Sequence, residues 1–384
     1  MMNTKLPTIG NGEDPRIGRI ESLIFVALLL VLPVVLHAAD ISRRIELGPP
    51  ETVLANDALG LRYFPDERLA VVRTKPDCRV IVAATVSSYM LEGPEMGKFT
   101  RATKVLDKGG AGEFDNGYAG ISAVIHAPLG ELLAFYHAED QEEMKTVGSG
   151  IPGFYCRVAL AVSKDGGRTF EKRGPILSGQ LPKNPGGRGD QGDGEPWVLE
   201  EPKGEFLYAY YTSHEHIDGR GAEICMARCP MANAMRPGAW KKFHEGGFTE
   251  PGLGGKDTPV MTGGEKNADV LFPHVTYIPA LHQFMMIFCL NAWRESSEPG
   301  HSGFYAAFSD DGIHWPRDWQ QIWKVPVLAI TGREVAWHPT YIPDTDGYTH
   351  GWLYYGFSPS WGDQPPHKPH FMMRRRMKIA EAAP

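Results

Sequence analysis

The feature that most restricts the fold of this 384-residue chain is an internal repeat. Five segments share one form: an apolar strand, a proline, a short turn and a second apolar strand. They are "RLAVVRTKPDCRVIVAATV" (68–86), "GISAVIHAPLGELLAFYHA" (120–138), "GEPWVLEEPKGEFLYAYYT" (194–212), "LFPHVTYIPALHQFMMIFCL" (271–290) and "AWHPTYIPDTDGYTHGWLYYGF" (336–357). Their marker prolines are Pro76, Pro128, Pro202, Pro279 and Pro343. Self-similarity of this kind identifies an array in which each unit buries its apolar face on its neighbours.

A polar loop and a third strand follow each pair, as in "YCRVALAVS", "AEICMAR", "GFYAAFS" and "HFMMRRRMKI". Three units add a turn and an aromatic fourth strand: "RTFEKRGPIL", "AWKKFHEGGF" and "HWPRDWQQIW". Outside the N-terminal segment no stretch sustains the apolar spacing of a helix. With 44 Gly and 31 Pro the chain has the turn residues that many short strands require. Four antiparallel strands repeated five times predict an all-β fold, a five-bladed β-propeller of four-stranded antiparallel blades. A β-sandwich with coincidental spacing is the competing arrangement.

Residues 22–40, "SLIFVALLLVLPVVLHAAD", follow Arg16 and Arg19 and end in small residues. They read as a signal peptide, since the apolar run is shorter than the ~20 residues of a membrane span. The expected organisation is a signal segment over 1–39 and one propeller domain over 40–384. The chain is then exported to the periplasm or outside the cell, away from the membrane, as a monomer. A net charge of −7 without a long basic run argues against a nucleic-acid partner. The five cysteines are odd in number and scattered, and no ligand set for a metal is read from them.

In a propeller the starts of the innermost strands and the loops between second and third strands share one face. Those loops are long and polar, so that face is expected to carry function. Nine or ten residues before the marker prolines stand Asp66 and Glu67, Asp193, Asp269 and Glu334; Glu195 follows Asp193 on the same side of its strand. A ring of carboxylates raises the pKa of some of its members, leaving an acid beside an ionised partner. Asp193, Glu195, Asp269, Glu334 and Asp66 are the candidate catalytic residues, for a pair of carboxylates that cleaves a glycosidic bond. Deeper in the strands stand Trp197, His274 and His338. The loops supply Trp293 and Trp361 for stacking on sugar rings, and His137, His214, His216, Arg220 and Arg294 for polar contacts.

The stretch "SKDGGRTF" (163–170) resembles the Asp-box turn of sialidases, Ser-x-Asp-x-Gly-x-Thr-Trp/Phe, and "SDDGIHW" (309–315) departs from it at the Thr. Such turns build blades and lie away from the functional face. The second copy, with "PGAWKKFHEGGF" (237–248), is similar to the five-bladed glycoside hydrolases: arabinanases, xylosidases, invertases and levansucrases. That resemblance implies a poly- or oligosaccharide substrate and three acids from different blades: base or nucleophile, general acid, and pKa modulator. The matching positions are Asp66, Asp193 or Glu195, and Asp269 or Glu334. It leaves room for a structural calcium ion near the axis and names no other cofactor. A sialidase, with a tyrosine nucleophile and three arginines, and a non-catalytic carbohydrate-binding propeller are the alternatives.

Overall fold

The computed structural model describes residues 44–146, 152–187, 189–263, 268–291, 302–324, 333–361 and 369–380. The predicted signal segment lies outside them. Among the described residues the only helices are short 3-10 turns, and none is long and apolar enough to cross a membrane. Almost continuously buried runs such as "CRVIVAA" and "FLYAYYTS", broken by Gly, Pro and Asp, form strands instead.

The described residues open with β1 (Arg44–Leu54); β2 (Ala70–Arg73), β3 (Cys78–Ala84), β4 (Ser87–Gly93) and β5 (Arg101–Leu106) then form a four-stranded sheet. Next come β6 (Tyr118–His126), β7 (Leu132–Asp140), β8 (Phe154–Ser163) and β9 (Glu171–Ser178). They are followed by β10 (Asp190–Glu200), β11 (Phe206–Ser213), β12 (Glu223–Pro230), β13 (Lys241–His244) and β14 (Gly247–Pro251). A short parallel pairing of β8 with β10 joins these nine into one sheet. A further four-stranded sheet is β15 (Val270–Ile278), β16 (Gln283–Leu290), β17 (Gly303–Ser309) and β18 (Gln320–Lys324). The last consists of β19 (Arg333–Pro343), β20 (His350–Trp361) and β21 (Phe371–Ala380), and β1 completes it by pairing with β21. That return of the N-terminal strand is a feature the repeat does not announce, because β1 has no copy elsewhere in the sequence.

Five apolar clusters lie between these units. One joins β2–β4 to β6–β8 through Ile81, Met90, Ile121 and Tyr136. The next three couple successive units, with Phe135 and Trp240, then Tyr210 and Phe288, then Phe304 and Trp337 at their centres. The fifth joins the last unit back to the first through Val80, Leu91, Tyr354 and Met372.

The turn after β8 explains its own sequence. Asp165 accepts the amides of Arg168 and Thr169 at 2.9 and 3.0 Å and the Thr169 hydroxyl at 2.7 Å, while Ser163 Oγ accepts the Gly167 amide at 2.8 Å. Gly166 and Gly167 both adopt positive φ there. Asp311 accepts the amides of Ile313 and His314 in the matching turn after β17.

Candidate functional site

Three inner strands carry the same local device. Glu195-Pro196 in β10, Phe272-Pro273 in β15 and His338-Pro339 in β19 each sit at a break in register, and the residue before each proline is left-handed, with φ of 52°, 60° and 52°. Proline already restricts the residue before it, and a non-glycine at positive φ costs on the order of 1–3 kcal/mol. Such a break re-aims a side chain. It brings the Phe272 ring to 4.1 Å from His338 and the Glu195 amide to 2.9 Å from His137 Nδ1. Counting back from the marker prolines groups His338 with His274 and Trp197. The observed register instead groups His338 with Glu195 and Phe272, because the segment from Pro339 to Pro343 is shorter than its counterparts. The repeated x-Pro dipeptide was the readable signal.

Around Glu195 four carboxylates from three units converge. Asp66 and Glu67 precede β2, Glu139 lies at the end of β7, and the Glu139 and Glu195 charges act on both Asp66 and Glu67. Burial, then the Glu139, Glu67 and Glu195 charges, push the Asp66 carboxyl well above the usual carboxylate range. Asp66 remains only half-buried, so solvent reaches it. Glu67 is raised to about 7 by burial, partly offset by Arg68 at 3.0 Å. The fully buried Arg68 also donates to the Pro196 carbonyl at 2.9 Å and lies 3.4 Å from His338 Nδ1. Arginine only donates, so Nδ1 of His338 accepts and the ring is neutral. Burial and Arg68 lower the His338 pKa well below 6.5 and hold His274 at about 3. His274 contacts Thr276 at 3.1 Å and lies against Trp197, whose indole donates to the Val275 carbonyl. Trp197 and His274 thus pack between strands behind the carboxylates.

The remaining candidate acids are placed differently. Asp193 is fully buried, 2.6 Å from Lys242 Nζ, and Asp257 shares that ammonium at 2.7 Å. Asp269 accepts the Ala222 amide at 2.8 Å, tying β15 to the loop before β12. Glu334, near the start of β19, is exposed. Arg220 is exposed too, 3.4 Å from Glu223. Trp293, Arg294 and the side chain of Trp361 lie outside the described residues.

Beside Glu195 a cavity of about 560 Å³ opens between the ends of β8 and β11, lined among others by Tyr155, Lys183, Gln191, His214 and Glu215. His214 forms the link: its Nε2 is 3.7 Å from Glu195 Oε1, and Phe154 stands edge-on between the His137 and His214 rings. Glu139, which sequence reasoning passed over, enters because His137 Nε2 is 3.1 Å from its Oε1. Its position at the end of a second strand was the available clue.

No protein-family model matches the sequence, and no curated protein is similar to it. Solved structures do share its fold. The α-L-arabinanase of Penicillium chrysogenum, complexed with arabinobiose, aligns at 12% identity over 85% of this chain and 98% of its own, with a TM-score of 0.51. An α-L-arabinofuranosidase from Lactobacillus brevis aligns at 12% over 80% and 90%, TM-score 0.52. The α-L-arabinofuranosidase Arb93A of Fusarium graminearum, solved with an iminosugar inhibitor, aligns at 10% over 87% and 96%, TM-score 0.50. The chain therefore has the fold of β-propeller enzymes represented by arabinanases and arabinofuranosidases.

Proposed function

We propose that this chain is an exported five-bladed β-propeller that hydrolyses glycosidic bonds in a poly- or oligosaccharide. The five apolar clusters, the last returning to the first unit, support the closed five-unit ring. The observation that carries the chemistry is the half-buried Asp66, whose carboxyl is raised above the usual carboxylate range by burial and the neighbouring Glu139, Glu67 and Glu195 charges. Asp66 acts as general acid and gives its proton to the leaving glycosidic oxygen as the C–O bond breaks. Glu195, held by the His137 bond, assists attack at the anomeric carbon. Water supplies the hydroxyl that ends on that carbon, and its second proton restores the acid. Asp193 and Asp269 have structural roles in this reading, and Glu334 has none in the chemistry. The cavity of about 560 Å³ lined by His214, which lies 3.7 Å from Glu195, has the volume for a few sugar residues. Among the described residues, the arginine of the cluster is Arg68, already engaged by Glu67 and Pro196, so a three-arginine clamp for an acidic sugar is not favoured.

The test is binding without turnover. Glu195→Gln should retain a glycan that the wild type cleaves, with affinity within about tenfold in a titration, and release no product. Equal turnover by variant and wild type removes Glu195 from the mechanism.

A further inference from the structure

Asp190 at the start of β10 and His214 and His216 just beyond β11 meet because these strands pair antiparallel. Asp190 Oδ2 lies 3.6 Å from His214 Nδ1 and 3.4 Å from His216 Nε2. Neither nitrogen makes a hydrogen bond, although His214 is 6% exposed and the His216 side chain 5%. Nδ1 of His216 donates to the Arg220 carbonyl oxygen at 3.1 Å, which leaves its Nε2 turned to Asp190. One nitrogen from each ring thus faces the same carboxylate oxygen, the arrangement of a three-ligand site.

We propose that Asp190, His214 and His216 bind one divalent transition-metal ion of the zinc class, with a fourth coordination position open to the neighbouring cavity. Ligand atoms about 2.0–2.1 Å from a tetrahedral ion stand about 3.3 Å apart. The two measured separations are close to that edge, and all three ligand atoms lie within 4.8 Å of one another. Two imidazoles with one carboxylate suit zinc-like ions and disfavour calcium or magnesium, which prefer oxygen ligands. Outer partners are in place: the Arg220 carbonyl orients His216, and Glu195 lies 3.7 Å from the far nitrogen of His214. Because His214 lines the cavity, the open position takes water or a ligand oxygen there. This site stands whether or not the chain is a glycosidase, because it rests on the ligand set alone.

The experiment uses tag-free protein stripped with a chelator, then titrated with cobalt(II) and, against a chromophoric chelator, with zinc. The expected result is one equivalent bound, the intense visible absorption of tetrahedral cobalt(II), and an affinity at least about 100-fold lower in His216→Ala. Zinc should raise the melting temperature of the wild type and leave that of the variant unchanged. His216→Asn, with its melting transition recorded, serves as a second variant if His216→Ala does not fold. A stripped wild type that melts cooperatively yet binds cobalt no tighter than the folded variant overturns the proposal. So does a weak octahedral spectrum.

Discussion

The amide of Glu195 donates to Nδ1 of His137 across 2.9 Å, tying the broken inner strand β10 to β7. The bond leaves the ring proton on Nε2, which faces Glu139 at 3.1 Å. It also explains Gly194, where a Cβ would lie 2.3 Å from that same Nδ1. In the proposed mechanism His137 is a positioning residue. His137→Ala is expected to lower kcat at least about tenfold with KM nearly unchanged, and Gly194→Ala should give the same split. Steady-state kinetics beside thermal melting checks this; a loss of stability with kcat intact would reduce both residues to packing.

Asp66 sets a pH limit. If Asp66 is the general acid proposed above, its raised pKa means that kcat/KM should hold through pH values where ordinary carboxylates are ionised and fall as pH climbs through the raised value. The linkage has the opposite consequence for folding. A carboxyl whose folded pKa exceeds its unfolded value of about 4 favours the fold below that value and loses this contribution as pH rises. Asp66→Asn should thus abolish turnover yet raise the melting temperature by a few degrees at pH 8. A pH–rate profile and paired melting curves measure both effects.

Asp193 separates structural from catalytic acids. It shares Lys242 with Asp257, whose carboxyl burial and the Asp193 charge raise to about 7. Lys242→Met leaves two buried carboxylates without their cation and should cost about 3–5 kcal/mol in denaturant unfolding. Asp193→Asn should lower stability while kcat stays within a few-fold. Loss of kcat in a variant of wild-type stability would return Asp193 to the catalytic set.

The turn at 163–170 should matter for stability alone. Burial is the largest single influence on the Asp165 carboxyl and raises its pKa, but hydrogen bonds from Thr169, Ser163 and Arg168 together outweigh it and hold that carboxyl at about 2. A depressed carboxyl stabilises the fold above its unfolded pKa, and this contribution disappears as pH falls from about 4 toward 2. Asp165→Ala is expected to cost about 1 kcal/mol at pH 7 and nothing near pH 2, with activity unchanged. Urea melts at the two pH values decide it.

The strands and the turns were legible because apolar alternation and proline-marked turns are local signals. So was Glu195, set two residues from Asp193 in one strand. Which of the two faces the open cluster was not legible, since it depends on the break at Glu195-Pro196 and on Lys242, far along the chain. Glu139 and the Asp190–His214–His216 group escaped for a related reason: their partners meet only when strand ends from different segments align. The fifth apolar cluster and the pairing of β1 with β21 likewise join opposite ends of the sequence.

Sugar release decides whether the chain cleaves glycosidic bonds. Protein from residue 40 onward is incubated with arabinans, xylans, fructans, mannans and sialylated glycans beside Asp66→Asn and Glu195→Gln, and reducing ends are counted. The wild type should release sugar from a neutral polysaccharide, and each folded variant should lose at least about 100-fold of that release. A wild type that is retained by one polysaccharide and releases nothing from any would contradict the proposed hydrolysis and leave a carbohydrate-binding propeller.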